Sequence, residues 1–173
     1  MTDGNILFKY ADDFYLLVPA ASTKSISNEI TNLSQWAHNN NLRLNETKTC
    51  ELVICSKNTK TSSLPAPCPS ISRSSTMNLL GVVLDSHLKF TDHIDYAISS
   101  GAQSMYALKT LKSHGMSKAE LSNVCRANLI SRIAYASPSW WGFVSAIDKV
   151  RLNSLVSKAI KWGLYEQSMP NIF

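Results

Sequence analysis

Leu7-Phe8-Lys9-Tyr10-Ala11-Asp12-Asp13-Phe14-Tyr15-Leu16-Leu17-Val18 is the stretch that decides how this chain is read. Two adjacent carboxylates sit between two short runs rich in aromatic and branched apolar residues. Each run has the length of a strand, and a turn must fall near the carboxylates. The pattern predicts a tight β-hairpin with Asp12 and Asp13 at its tip. Two carboxylates fixed on rigid strands are what a divalent metal site for phosphoryl transfer requires. Mg²⁺ takes hard oxygen ligands at about 2.0–2.1 Å and is held by one or two carboxylates plus substrate phosphates. An Asp-Asp pair alone is more often a solvated turn, and its position between apolar strands is what singles this one out.

Outward from the hairpin, Met1 to Asn5 forms a short polar lead-in, so the strand neighbours of the hairpin are expected downstream or missing. Pro19-Ala20-Ala21 breaks the second strand, and Ser22 or Thr23 offers an N-cap. Ile26, Ile30, Leu33 and Ala37 then recur at helical spacing, with Trp36 widening the face, which predicts an amphipathic helix from about 23 to 40 ended by Asn39-Asn40-Asn41. Leu42 to Thr49 reads as a polar turn and Cys50 to Cys55 as a strand. Lys57 to Thr76 is dominated by Ser, Thr, Pro and Lys without periodicity and reads as a linker or loop.

A second hairpin is expected from Met77–Asp85 and Leu88–Phe90, turning at Asp85-Ser86-His87. From Thr91 the period becomes helical, with Ile94, Ile98, Gly101, Met105, Leu108 and Lys112 in alternating steps of four and three up to a stop at Gly115. Ser117-Lys118-Ala119-Glu120 is a capping box that opens a helix running to before Pro138, and another helix starts near Ser145. The fold class expected is α+β, a mixed first half followed by a helical bundle.

Composition narrows the function. Apolar residues make up 45% of the 173, which excludes disorder throughout. The longest uncharged stretch, Ile133–Ile147, is too short to span a bilayer and contains Pro138, so no membrane partner is expected. No secretory pattern opens the chain, and Cys50, Cys55, Cys68 and Cys125 lack metal-site spacing, so they read as free thiols of an intracellular protein, nuclear or cytoplasmic and not secreted. A net charge of +5 fits a nucleic-acid partner without requiring one. His38, His87, His93 and His114 form no cluster and carry no assigned chemistry. Nothing in the sequence sets an oligomeric state.

Three separated segments resemble one family in the right order. Lys9-Tyr10-Ala11-Asp12-Asp13 resembles the catalytic palm hairpin of reverse transcriptases. Leu44-Asn45-Glu46-Thr47-Lys48-Thr49 resembles the Asn-x-x-Lys-Ser/Thr segment after the palm helix. Leu80-Gly81-Val82-Val83-Leu84-Asp85-Ser86-His87-Leu88-Lys89-Phe90, with His93-Ile94, resembles the primer-grip hairpin that leads into the thumb. Tyr106-Ala107-Leu108 and Tyr135-Ala136-Ser137-Pro138-Ser139-Trp140-Trp141-Gly142 are similar to thumb segments of the same group, the reverse transcriptases of LINE-type (non-LTR, jockey-like) retrotransposons.

The resemblance implies a partial palm with the Tyr-Ala-Asp-Asp hairpin over 1–56, a Ser/Thr/Pro-rich loop over 57–76, a primer-grip hairpin over 77–90 and a helical thumb over 91–173. It implies RNA-directed DNA polymerisation in a complete enzyme, with an RNA template, a DNA primer, deoxynucleoside triphosphates and Mg²⁺. Asp12 and Asp13 would be the metal ligands, and Lys48 would approach the triphosphate. Tyr10, Ala11 and Gly81 would lie against nucleic acid. Family members carry a further aspartate, a Gly- and Ser-Pro-containing segment and the fingers ahead of the hairpin. None of these precedes Asp12, so the isolated chain is expected to lack polymerase activity. The alternatives are a non-catalytic, basic nucleic-acid-binding remnant and an inert relic of a mobile element. Trp140 and Trp141 could stack on bases, although aromatic residues at a helix corner more commonly anchor a core.

Overall fold

The alternating residues either side of Ala11 and Asp12 form the hairpin their pattern predicts. β1 (Ile6–Tyr10) and β2 (Asp13–Leu17) pair antiparallel, from Ile6↔Leu17 to Tyr10↔Asp13. They open a chain whose computed structural model describes residues 1–60, 63–69 and 71–166. The fold is α+β and divides into two units, Met1–Met77 and a second that begins at Asn78. Parts of two expected segments, residues 61, 62 and 70 of the loop and 167–173 of the helical region, lie outside the described residues. No described helix is long and apolar enough to cross a membrane.

In the first unit the period of two along the hairpin sorts its side chains onto two faces. Leu7, Phe14 and Leu16 line a groove with Leu33 and Trp36 of α1 (Ile26–Asn39), and the Phe14 and Trp36 rings meet edge to face at 5.4 Å. The opposite face keeps Ile6, Phe8, Tyr10 and Leu17 exposed. The helix expected from about 23 begins instead as a 3-10 turn over Ala20–Ser25, and α1 proper starts at Ile26. Its first turn is tied down by side chains rather than by a Ser22 or Thr23 cap: the Ser25 hydroxyl donates to the Ser22 carbonyl at 2.7 Å and accepts from Asn5 Nδ2 at 2.9 Å. At the other end Asn41 adopts φ 57°, and Leu42 N–H bonds back to the Ala37 carbonyl, which closes the helix with a left-handed asparagine.

Glu29 anchors the lead-in. Its carboxylate is buried and accepts from Thr2 N and, at 3.1 Å, from Asn5 Nδ2. The Thr2 amide bond is the main reason the Glu29 carboxyl falls to a pKa of about 2. A depressed acid stabilises the fold above its ordinary pKa, and that contribution fades as pH drops from the usual carboxylate range toward 2.

The segment expected to be loop from 57 to 76 contains a strand. β4 (Ser72–Ser74) runs parallel to β3 (Cys50–Leu52), and β5 (Thr76–Leu79) begins before the segment ends. Polar composition concealed this because the strand is held by an ion pair rather than an apolar face. Arg73 Nε donates to Glu51 Oε1 at 2.9 Å, Arg73 Nη1 donates to the Pro65 carbonyl at 2.8 Å, and Glu51 also accepts from Cys68 N. The described sheets are three separate two-stranded pairs, β1–β2, β3–β4 and β5 with β6 (Val82–Asp85).

The second unit holds the core. The buried hydrophobic cluster of the described residues runs from Val82 to Tyr165 and centres on Trp140, Ile94, Leu121, Leu129, Ile133 and Leu152. The hairpin here turns at Leu80-Gly81, not at Asp85-Ser86-His87. Gly81 adopts φ 86°, and its N–H is taken by Asn78 Oδ1 at 2.8 Å, which fixes the turn at this earlier position. Asp85 instead caps the loop that follows, accepting from His87 N and Lys89 N. α2 (Thr91–Ser113) buries Ile94, Ala97, Gly101, Met105 and Leu108 and stops at Gly115, φ 89°. The Ser117–Glu120 capping box is formed in both directions and opens α3 (Lys118–Cys125).

The helix expected to run to before Pro138 is helical from Lys118 to Ala134 and ends there. A π-helical turn covers Arg126–Ile130, α4 is only Ser131–Ala134, and Tyr135 leaves the helix at ψ 126°. Ala136 then turns left-handed, and Pro138 falls in the first turn of α5 (Ser137–Trp140), where its missing N–H costs nothing. A 3-10 turn (Trp141–Phe143) leads to α6 (Ala146–Lys161), capped by the Ser145 hydroxyl on Asp148 N. All four cysteines are free, and burial raises the Cys125 thiol to about 11.

Candidate functional site

Pairing of Tyr10 with Asp13 leaves Ala11 and Asp12 as a two-residue loop, the tightest connection antiparallel strands allow. Such loops need left-handed backbone, and Ala11 supplies it at φ 51°. For an alanine this costs about 1 kcal/mol or more. Both carboxylates are exposed, and Asp13 Oδ2 accepts from the Tyr15 hydroxyl at 3.2 Å. Lys9 sits behind the tip, its ammonium 5.6 Å from the Phe14 ring and 5.4 Å from the Trp36 ring. Oxygen donors on two adjacent carboxylates suit a hard divalent cation such as Mg²⁺. Among the described residues no group of three or more His, Cys, Asp or Glu side chains gathers at metal-binding spacing.

The strain at Ala11 is measurable. Ala11→Gly should stabilise the first unit by about 1 kcal/mol, because glycine reaches positive φ without steric cost. Thermal melts of the two proteins, read on hairpin resonances, check this. An unchanged or lowered midpoint would mean that Ala11 is not held left-handed.

Lys48 lies in a turn built by Asn45. The Asn45 carbonyl accepts from Lys48 N at 3.2 Å, Thr49 N at 3.0 Å and Thr49 Oγ1 at 2.8 Å, while its side-chain oxygen accepts from Thr47 Oγ1 at 2.7 Å. Asn45 is thus the organising residue of the Asn-x-x-Lys-Thr segment, a role that an asparagine two or three residues before other polar residues signals through its turn chemistry. The Lys48 side chain is exposed, and no ion pair among the described residues joins it to Asp12 or Asp13. Burial differs sharply between the two tryptophans of the helix corner. Trp140 is fully buried and donates from Nε1 to the Tyr135 carbonyl at 2.9 Å, so it anchors the core and is closed to base stacking. Trp141 is half-buried, with Lys149 Nζ 4.8 Å from its ring.

No protein-family model matches this chain, and no curated protein or solved structure matches it either.

In the second unit, Leu80 (φ 49°) and Gly81 (φ 86°) form the two-residue loop between β5 and β6. A Cβ on Gly81 would come within 3.3 Å of the Tyr135 ring, and the Tyr135 hydroxyl donates to the Leu80 carbonyl at 2.8 Å. Glycine is therefore favoured here by its φ, and a Cβ would also press on the ring beside it. Sequence patterning singled out Gly81 but gave Tyr135 no role, since a tyrosine at a helix break carries no spacing that points to a hairpin 55 residues earlier. Basic and aromatic side chains also meet at the surface. Lys109 Nζ is 3.7 Å from the Trp162 ring, and Lys112 Nζ donates to the Trp162 carbonyl at 2.6 Å.

Proposed function

We propose that this chain is a late-palm and thumb portion of a LINE-type reverse transcriptase, contributing to template-directed nucleotidyl transfer in a complete enzyme and inactive in polymerisation by itself. One observation carries the reading: the Tyr-Ala-Asp-Asp sequence spans the tip of a β-hairpin whose two-residue loop is Ala11–Asp12, with strained Ala11 at the turn and both carboxylates exposed. Strained backbone is held where the surrounding structure over-determines it, and such positions concentrate at functional sites. Asp12 and Asp13 would hold Mg²⁺, whose role is to lower the pKa of an attacking hydroxyl and to neutralise phosphate charge. Tyr10 and Ala11 at the first hairpin and Gly81 at the second would lie against nucleic acid, and Lys48 would approach a triphosphate. The order of the three segments along the chain supports the same assignment.

Primer extension tests the catalytic half of this proposal. With two carboxylates and no third ligand gathered beside them among the described residues, the isolated chain should extend no primer on an RNA template in Mg²⁺. Extension that is present in the native chain and lost in Asp12→Asn would show a working site and overturn that expectation.

A non-catalytic binding role is the second reading. It rests on cations set against aromatic rings at Lys109–Trp162 and Lys149–Trp141 in a chain of net charge +5. Binding of this kind rests on phosphate contacts and weakens steeply with salt.

A further inference from the structure

A closed circuit of contacts begins and ends on the β5–β6 hairpin. Val83 N–H donates to His93 Nδ1 at 3.4 Å. The His93 ring meets the Trp140 ring edge to face at 5.1 Å. Trp140 Nε1 donates to the Tyr135 carbonyl, and the Tyr135 hydroxyl returns to the hairpin at the Leu80 carbonyl. The segments this circuit joins are strained: Leu80, Leu88, Phe90 and Ala136 all have left-handed backbone, with φ between 49° and 59°. Strain of this kind is one physical source of bistability. His93 is 4% exposed, and Nε2 has no hydrogen-bond partner among the described residues. Because Nδ1 accepts, the neutral ring carries its hydrogen on Nε2.

We propose that His93, Trp140 and Tyr135 form a latch that holds the β5–β6 hairpin on the helical bundle, and that protonation of His93 opens it. A proton on Nδ1 removes the acceptor that Val83 uses and leaves a charge in an apolar enclosure. No carboxylate among the described residues bonds the ring to offset it. On β6, Asp85 has its Oδ1 engaged by the His87 and Lys89 amides. α5 carries no charged residue. On α2, Asp92 is exposed and Asp95 is bonded to Arg151. Asp148 of α6 reaches Thr91 but is engaged by Ser145 and Arg151. Burial keeps the His93 imidazole below its ordinary 6.5. The latch is therefore complete above that value and weakens as pH falls below it.

Amide exchange by NMR between about pH 7.5 and about pH 5, expressed as protection factors, tests this on the whole chain. Protection of Val82–Asp85 should fall several-fold toward the acid end while α3 and α6 keep theirs. His93→Asn places an acceptor where Nδ1 stands and cannot titrate, so its β6 protection should stay constant across the range. Tyr135→Phe removes the return bond to Leu80, so β6 protection should already be reduced at neutral pH. Flat protection of β6 in the native chain, simultaneous loss in α6, or acid sensitivity retained in His93→Asn would each overturn the latch. If His93→Asn does not fold, the native and Tyr135→Phe profiles decide it alone.

Discussion

Trp140→Ala should destabilise the second unit by about 4 kcal/mol, within the roughly 3–5 kcal/mol seen when a large core aromatic is truncated. Trp140 is fully buried and touches three parts of the unit: the His93 ring at 5.1 Å, the Trp141 ring at 5.9 Å and, through Nε1, the Tyr135 carbonyl at 2.9 Å. Truncation leaves a cavity and an acceptor without its donor, and the two penalties act together. A domain of this size has only about 5–15 kcal/mol in total, so the loss takes a large share of it. Urea denaturation followed on α2 and α6 resonances measures the loss. Trp141→Ala removes a half-buried ring and should cost less than half as much. Equal losses at the two positions would mean that the corner is not anchored by Trp140.

Gly101→Ala should destabilise the same unit by up to about 2 kcal/mol, although alanine is the better helix former. Gly101 lies in the middle of α2, and a Cβ there would stand 2.6 Å from Leu155 Cδ2 and 2.8 Å from Leu129 Cδ1. Helix propensity favours alanine by about 1 kcal/mol. Overpacking a filled core costs roughly 1–3 kcal/mol, and here two side chains on different elements must move at once. Leu129 is fully buried and Leu155 nearly so, which leaves neither room to withdraw. The cost should shrink when Leu155 is shortened, so a double-mutant cycle of Gly101→Ala with Leu155→Ala should give a coupling well above the few tenths of a kcal/mol found for independent sites. A stabilised Gly101→Ala would show that the two leucines repack freely.

Local pattern made much of the fold legible, and the misses share a cause. The Leu7–Val18 hairpin, the stop at Gly115, the Ser117 capping box and the start of α6 at Ser145 each depend on residues within a few positions of one another, and each is found where the spacing puts it. β4 was invisible because Ser72-Arg73-Ser74 has no strand-forming side chains; its partner in stability is Glu51, far back in the chain. The second turn was misplaced because Asp85-Ser86-His87 looks more turn-like than Leu80-Gly81, whereas Asn78 and Tyr135 select the earlier position. The helix ends at Ala134, short of Pro138, and the left-handed Ala136 beyond it leaves no mark on apolar periodicity.

The sequence singles out the hairpin carboxylates and Lys48 in the first unit and Gly81 in the second as candidates. It did not identify the residues that shape their surroundings. Asn45 and Tyr135 act through backbone carbonyls and a ring contact, and Glu29 acts through the amides of the lead-in. None of these has a spacing that advertises it. The burial contrast between the two units also follows from sequence only in outline. Among the described residues, Asn5, Glu29 and Ala37 are the buried ones of the first unit, so its hairpin keeps Phe8 and Tyr10 in solvent at 56% and 63% exposure. Those two aromatics lie on the strand that leads to the Ala11–Asp12 loop.

Binding of a short RNA–DNA hybrid, followed residue by residue by NMR at low salt in Mg²⁺ and repeated at rising salt, tests the nucleic-acid reading most directly. The account predicts shifts at Tyr10–Asp13 and at Leu80–Val82, an affinity that falls linearly on a log–log plot against salt, and loss of the hairpin shifts in Asp12→Asn. No binding at low salt, or binding that leaves both hairpin tips unmoved, would contradict it.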